Sequence, residues 1–123
     1  MDKIKVFVVD DSVVARNMLI RTLADADDIE VAGEAGSAQG SVIMLEEVKP
    51  DVILLEASIG GMNLNDVVKE IKNINLHVKI ILCIDAIHSE KAMMATEFGA
   101  DDFVRKPYNK QNVLRAVRSA CGR

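Results

Sequence analysis

The stretch that most constrains the fold lies at residues 49–62. A turn at Lys49-Pro50 leads into the apolar run of residues 52–55, and a carboxylate follows at once at Glu56. An unbroken apolar run that contains β-branched residues and is bounded by Pro and Gly indicates a strand covered on both faces, as in the centre of a parallel sheet. Ligands of open α/β sheets bind beyond the carboxyl ends of the strands, so Glu56 lies where chemistry is expected.

Strand and helix patterns alternate along the rest of the chain. Apolar runs predict further strands at residues 4–9 and 78–84, an alternating pattern predicts a strand buried mainly on one face at residues 29–34, and residues 102–104 are predicted to form a brief fifth strand. Apolar residues at helical spacing follow each strand. Five such units require parallel pairing through right-handed crossovers. The sequence therefore predicts an α/β protein with a three-layer α/β/α sandwich and a doubly wound sheet, because a barrel would need about eight units.

The helix ends carry their own signals. Ser12 and Ser37 can cap the first two helices, and Asn63 begins the third. The fourth helix is predicted to begin at His88 or Ser89, to run through Phe98 and to end at Gly99 in the left-handed conformation.

Composition bounds the class of protein. The chain has 123 residues, is 50% apolar and 28% charged, and carries a net charge of −4, which is typical of one globular domain over residues 1–123 that does not bind nucleic acid. No apolar run approaches the ~20 residues that span a bilayer, and the charged start is not a signal peptide, so we expect no membrane partner and a cytoplasmic protein. Cys83 and Cys121 show no metal-ligand spacing and are expected to be buried, inert thiols. A monomer or weak dimer is expected.

The predicted strands deliver charged residues to one edge of the sheet, where the ends of the first, third, fourth and fifth strands approach one another. These strand-end residues are Asp10, Asp11, Glu56, Ile84, Asp85 and Lys106. Clustered carboxylates repel each other unless a cation lies between them. The pattern therefore predicts either a Mg²⁺ ion, which favours one or two carboxylates plus waters, or the Lys106 ammonium group.

Four motifs in this order resemble the receiver domain of bacterial response regulators, most closely the single-domain chemotaxis type. The resemblance covers essentially the whole chain. The motifs are Val9-Asp10-Asp11-Ser12, Lys49-Pro50-Asp51-Val52-Ile53-Leu54-Leu55, Gly61-Met62-Asn63 and Gly99-Ala100-Asp101-Asp102-Phe103 leading to Lys106-Pro107. It implies a flavodoxin-like fold with sheet order 2-1-3-4-5 and a role in two-component phosphorelay signalling.

The resemblance also implies a chemistry, which is Mg²⁺-dependent transfer of a phosphoryl group from a histidine kinase to the residue at the end of the third strand. By position, Glu56 stands at the phosphoacceptor site. Asp11 would bind the metal, Asp10 would help through water, the backbone of Ser58 would complete the metal site, and Lys106 would bind the phosphoryl oxygens. Phe103 corresponds to an aromatic switch residue, and the Lys106-Pro107 bond to a cis peptide, which X-Pro bonds adopt at modest cost.

The acceptor position departs from the family because it holds Glu56 where the family has Asp. Both side chains are ionised near pH 7, but the extra methylene moves the carboxylate roughly an angstrom further out. An error of about 1 Å in the position of an attacking atom can cost on the order of a hundredfold in rate. Glu56 is therefore expected to be a poorly placed acceptor.

Two further departures oppose phosphorylation independently. Ile84 replaces the hydroxyl residue with which the family binds the phosphoryl oxygen, and an apolar side chain cannot donate that hydrogen bond. Asp85 replaces a small residue and adds a negative charge that faces an incoming anion. Glu56 alone could be an engineered mimic of the phosphorylated state, but together the three residues favour natural divergence.

Three interpretations remain open at this point. In the first, the domain is a degenerate receiver that acts as a protein-binding module rather than an enzyme, with Glu56 held by Lys106 or by a metal with Asp11. In the second, it is a slow but working phosphoacceptor for a histidine kinase. In the third, it is a flavodoxin-like domain that binds a small molecule, although no glycine-rich phosphate loop supports this.

A partner surface is predicted on the fourth helix, the fifth strand and the fifth helix. Its residues are Met93, Met94, Phe103, Arg105 and Arg115, and the basic side chains of Arg105, Lys110, Arg115 and Arg118 would suit an acidic partner. For Met93, Met94 and Phe98 taken singly, ordinary core packing is the favoured interpretation. His77 is expected in a loop and His88 in solvent, and neither is assigned a phosphohistidine role.

Overall fold

The computed structural model describes residues 2–61, 63–85, 87 and 89–123, without the side chains of Ser89, Lys91, Ala92 and Met94. Five strands form one sheet: β1 (Ile4–Val9), β2 (Ile29–Ala35), β3 (Val52–Glu56), β4 (Lys79–Ile84) and β5 (Asp102–Arg105). All neighbouring strands pair in parallel, in the order β2-β1-β3-β4-β5. The predicted fold class and strand order are confirmed.

A helix follows each strand in the described residues. The helices are α1 (Val13–Ala24), α2 (Ala38–Val48), α3 (Leu64–Ile74), α4 (Ser89–Thr96) and α5 (Lys110–Ala120). Ser12 and Ser37 cap α1 and α2 as predicted, because each hydroxyl oxygen accepts a hydrogen bond from a backbone N–H in the first turn. Asn63 and Asn109 cap α3 and α5 in the same way. None of these helices is long and apolar enough to cross a membrane.

The fourth helix ends earlier than the sequence predicts. It stops at Thr96, and a turn over residues 97–99 leads to Gly99, whose φ is +120°. The Ala100 N–H donates to the carbonyl oxygen of Ala95 across this turn, which closes the helix end. The glycine therefore has the positive φ expected of it, but the helix does not reach Phe98. His88, the alternative first residue, lies outside the described residues.

Helices cover both faces of the sheet and bury two apolar clusters. One cluster lies between the sheet and α2, α3 and α4, and includes Phe7, Ile53, Leu82 and Ile84. The other lies between the sheet and α1 and α5. Its strand residues include Val8, Leu54, Cys83 and Val104. Burial of this apolar surface on both sides of the central strands stabilises the three layers.

A β-bulge sets the position of the carboxyl end of β2. The pairing of β1 with β2 shifts between Val6 and Phe7, so that Phe7 lies beside Gly33. A side chain at residue 33 would place its Cβ 2.9 Å from the Phe7 ring, so the close approach requires glycine. Beyond the bulge, Glu34 and Ala35 lie beside the last residues of β1, next to the predicted carboxylate edge.

The two cysteines differ in burial. Cys83 is 1% exposed within β4, as predicted, but Cys121 follows α5 as its C-terminal cap and is only partly buried. The expectation of two buried thiols is therefore wrong for Cys121, because α5 ends one residue before it and its side chain lies at the margin of the cluster under α1 and α5.

Candidate functional site

The ends of β1, β3 and β5 bring four charged residues together: Asp10, Asp11, Glu56 and Lys106, which we call the carboxylate cluster. Glu56 is the last residue of β3 and is 3% exposed. Lys106 follows β5 directly, and its backbone N–H donates to the carbonyl oxygen of Ile84 at 2.7 Å. The Lys106 Nζ lies 2.5 Å from Glu56 Oε2. Lysine thus supplies the cation for this buried carboxylate.

Ser58 holds the other oxygen of the Glu56 carboxylate. Its hydroxyl donates to Oε1 at 2.7 Å and its backbone N–H approaches the same atom at 3.3 Å. The sequence indicated only a backbone role for Ser58, and the hydrogen bond from its hydroxyl was not predicted. A hydroxyl residue two positions after a strand-end acid is a weak signal for such a local hydrogen bond.

Asp10 is the second buried carboxylate of the cluster. It is 2% exposed, and its Oδ1 accepts a hydrogen bond from the Ser12 N–H at 2.9 Å. Its Oδ2 is buried and has no hydrogen-bond partner among the described residues. Burial raises the pKa of Asp10, the Ser12 hydrogen bond opposes this, and the negative charges of Glu56 and Asp11 raise the pKa further.

The repulsion between the three carboxylates is therefore reduced in a different way at each residue. Glu56 is paired with an ammonium group, Asp11 is exposed to water, and the buried Asp10 has a raised pKa. Burial lowers the pKa of Lys106, but its contact with Glu56 and the charge of Asp10 outweigh this, and the net shift is upward. In the part of the chain that the structure describes, no three His, Cys, Asp or Glu side chains form a group placed to hold a metal ion.

A comparison with known protein families decides what this arrangement is. Residues 6–118 match the family described as the response regulator receiver domain. The chain belongs to this family. Receiver domains are the signal-receiving part of two-component response regulators.

Individual relatives agree with the family assignment. The chain is 33% identical over 113 residues to the chemotaxis protein CheY of Thermotoga maritima, covering 92% of this chain and 93% of that protein. It is 39% identical to a protein-glutamate methylesterase/protein-glutamine glutaminase of Clostridium acetobutylicum, of which it spans 37%. Its fold matches the receiver domain of a putative NarL from Mycobacterium tuberculosis with a TM-score of 0.88 at 26% identity, over the full length of both chains.

Ile84 and Asp85, which the sequence predicts as switch positions together with Phe103, lie at the carboxyl end of β4. Ile84 is 1% exposed and packs in the apolar cluster under α2, α3 and α4, so no hydroxyl is available there. Asp85 follows it and is partly exposed. The Lys106-Pro107 peptide bond is cis.

Cys83 and Tyr108 are neighbours of the Glu56–Lys106 pair that the sequence did not indicate. Cys83 pairs in register with Glu56 across β3 and β4, and the half-buried Tyr108 packs against the same apolar cluster as Cys83. Burial raises the pKa of the Cys83 thiol to about 12.

The predicted partner surface of the receiver is exposed where it is described. Phe103 is 37% exposed, and the Arg105 guanidinium carbon lies 5.5 Å from the centre of its ring. Arg115 is exposed on α5 beside them, and a shallow groove between β5 and α5 joins the three residues. Met93 is 66% exposed, so the expectation of core packing is wrong for this residue, because α4 directs its side chain away from the sheet. The Met94 side chain lies outside the described residues.

Two of the four basic side chains predicted for this surface are already paired with acidic residues. Lys110 pairs with Asp25 at 3.1 Å, and Arg118 makes two hydrogen bonds of 2.9 Å to Asp28. These two cations are matched by acidic residues that follow α1. Phe98 is partly buried against the core, as favoured, and Lys69 lies 4.7 Å from the centre of its ring.

Proposed function

We propose that this receiver is degenerate at its acceptor position and acts as a protein-binding signalling module whose surface is fixed rather than switched by phosphorylation. The observation that carries the proposal is the engagement of both Glu56 oxygens. Oε2 contacts the Lys106 ammonium group at 2.5 Å and Oε1 accepts the Ser58 hydroxyl at 2.7 Å. A carboxylate held in this way has no free oxygen to attack a phosphoryl group.

The energetic barrier to phosphorylation follows from these contacts. The Glu56 carboxylate would have to leave Ser58 or Lys106 before it could attack, and in-line attack wants the reacting atoms about 3–3.5 Å apart. A phosphoryl group at this site would find no hydroxyl donor at Ile84. The negative charge of Asp85 would also oppose its approach. These effects act on different steps, so together they favour a receiver that does not turn over phosphoryl groups.

A second candidate function is supported by one observation at Asp10. Its buried Oδ2 lacks a partner, and a hard cation such as Mg²⁺ prefers carboxylate oxygens. Asp10, Asp11 and the backbone of Ser58 would hold the ion, and Glu56 would join them only after releasing Lys106. Such an ion would neutralise charge at the cluster, as a working phosphoacceptor for a histidine kinase requires.

Intact mass measurement separates the two functions. The protein is incubated with Mg²⁺ and acetyl phosphate or phosphoramidate, and the mass of one added phosphoryl group is sought. We expect no adduct in the parent chain or in Glu56→Asp alone, and an adduct in the triple variant Glu56→Asp, Ile84→Thr, Asp85→Ala. A stoichiometric adduct mapped to Glu56 in the parent chain would contradict the proposal.

We further propose that the partner, a histidine kinase or another signalling protein of the cytoplasm, docks on the surface formed by Met93, Met94, Phe103, Arg105 and Arg115. The exposed Phe103 ring shares a groove with Arg105 and Arg115, and neither arginine has an ion-pair partner among the described residues. This combination suits an acidic partner with an apolar anchor. Arg115→Gln should weaken binding of such a partner, whereas Lys110→Gln, which removes a cation already paired with Asp25, should change it little. Equal effects of the two substitutions would count against this surface.

A further inference from the structure

Arg16 joins the ends of β1 and β2 through its guanidinium group. The side chain projects from α1 and is 16% exposed. Its Nη1 donates to the backbone carbonyl oxygen of Asp10 at 2.6 Å, and its Nε donates to Glu34 Oε1 at 2.8 Å. One planar group therefore bonds to the residue that carries the buried carboxylate of the cluster and to the neighbouring strand.

Gly36 provides the space for this group. A Cβ at residue 36 would lie 3.2 Å from Arg16 Nη1, closer than ordinary van der Waals contact. The backbone of Gly36 does not have a positive φ, so a side chain at this position would act by crowding Arg16 and not through backbone conformation. The niche is thus shaped to admit the guanidinium group.

The Asp10 backbone is held on both sides as a result. Its N–H donates to the carbonyl oxygen of Ala35 at 3.1 Å, and its own carbonyl oxygen accepts from Arg16. With these two groups held, the peptide between Asp10 and Asp11 has one orientation. In that orientation Asp10 Oδ1 accepts the Ser12 N–H.

We propose that Arg16 is a positioning residue of the carboxylate cluster. Because Arg16 is bonded to both the Asp10 carbonyl oxygen and Glu34, it orients the Asp10-Asp11 turn. The Asp10 side chain then points into the cluster and the Asp11 side chain points to water. Arginine is required because its fork donates to two acceptors in one plane, whereas a lysine ammonium group is a point charge on a flexible stem.

Amide hydrogen exchange measured by NMR tests the role directly. The Ser12 N–H reports the orientation of Asp10, because its acceptor is the Asp10 carboxylate. The Ile80 N–H is a matched control, since it also donates to a carboxylate, that of Asp101, at 2.8 Å. This pair lies near the starts of β4 and β5, at the opposite end of the strands from the cluster. In Arg16→Lys we expect exchange at Ser12 to rise by about tenfold, the size of one lost hydrogen bond, with exchange at Ile80 unchanged.

Two further variants sharpen the test. Gly36→Ala should also raise the exchange rate of the Ser12 N–H, because the added methyl group crowds Arg16 Nη1. This variant keeps arginine at position 16. Arg21→Lys, at an exposed position of the same helix, should leave both amides unchanged. Unchanged exchange at Ser12 in both Arg16→Lys and Gly36→Ala overturns the proposal. An equal rise at Ser12 and Ile80 also overturns it, since it would show a general loss of stability.

Mn²⁺ binding provides a second readout that rests on the proposed metal site. If the parent chain binds Mn²⁺, measured by line broadening of nearby NMR signals, Arg16→Lys should weaken binding by about tenfold, as expected when a residue that orients a ligand is lost. Undiminished binding would overturn the positioning role. A parent chain that binds no Mn²⁺ contradicts the metal proposal alone, and the exchange measurements then decide the role of Arg16.

Discussion

Glu56 and Lys106 form an ion pair that is buried on one side only: the carboxylate side chain is 3% exposed, the lysine side chain is 30% exposed, and 2.5 Å separates Oε2 from Nζ. Removal of the lysine would leave a charged carboxylate in a site that water hardly reaches. This asymmetry makes the lysine more important to stability than an ordinary surface cation.

Lys106→Met should therefore destabilise the fold by about 3 kcal/mol at pH 7, at the lower end for a broken buried pair because the lysine is partly hydrated. Urea unfolding measures this free energy. Lys110→Met is the control, because its pair with Asp25 is exposed on both sides and should contribute less than about 1 kcal/mol. Adding Glu56→Gln to Lys106→Met should recover part of the loss, and strict additivity of the two changes would contradict the pairing.

The raised pKa of Asp10 predicts a specific pH dependence. Because its folded-state pKa lies above the ordinary value of 3.8, the folded state holds this proton more tightly than the unfolded chain does. The stability that Asp10 contributes is thus present below pH 3.8 and is lost as the pH rises through the raised pKa. Asp10→Asn should be more stable than the parent chain at pH 7, and its advantage should shrink as the pH falls toward 3.8.

The Asp10 measurement uses urea unfolding between pH 3 and pH 7 with a chelator present, so that no divalent cation stabilises the parent carboxylate. Asp11→Asn is the matched control, since Asp11 is exposed and its substitution should change stability little. An advantage of Asp10→Asn that persists unchanged at pH 3 would mean that charge burial is not the cause.

The Ser58 hydroxyl should contribute to stability through its hydrogen bond to Glu56 Oε1. A neutral donor to a charged acceptor typically contributes about 1.5–3 kcal/mol, so Ser58→Ala should lower the free energy of unfolding by roughly 1.5 kcal/mol. Ser119→Ala, at an exposed position of α5, should stay within about 0.5 kcal/mol. Equal effects of the two substitutions would show that Ser58 does not hold the carboxylate.

The two cysteines should differ in reactivity. Burial raises the pKa of Cys83 to about 12, so its thiolate is scarce at pH 8 and also inaccessible. Cys121 is partly exposed, and although burial raises its pKa as well, it should react first with a disulfide reagent. We expect one thiol to be modified in the folded protein and both in guanidinium chloride. Modification of Cys83 at the rate of Cys121 would contradict the burial of β4.

The architecture could be predicted because its signals are local. The apolar run before Glu56, the capping serines at Ser12 and Ser37 and the alternation of strand and helix each depend on a few neighbouring residues. Parallel strands joined by right-handed crossovers then leave little choice of topology. The convergence of Asp10, Glu56 and Lys106 follows from that topology alone.

The predicted partner surface was less accurate because it depends on contacts between distant parts of the chain. Lys110 and Asp25 are separated by 85 positions, and Arg118 and Asp28 by 90, so no local pattern shows that these cations are already paired. The exposure of Met93 likewise depends on how α4 lies on the sheet.

The sequence by itself determined the receiver fold and the edge of the sheet at which charge collects, since these depend on periodicity and on strand ends. Only the tertiary structure decided how each carboxylate is accommodated. Ser58 donates to one oxygen of Glu56 and Lys106 contacts the other. Arg16 donates from α1 to the Asp10 carbonyl oxygen. Those assignments depend on side-chain rotamers and on distances of a few angstroms between separate elements, which the order of residues along the chain does not specify.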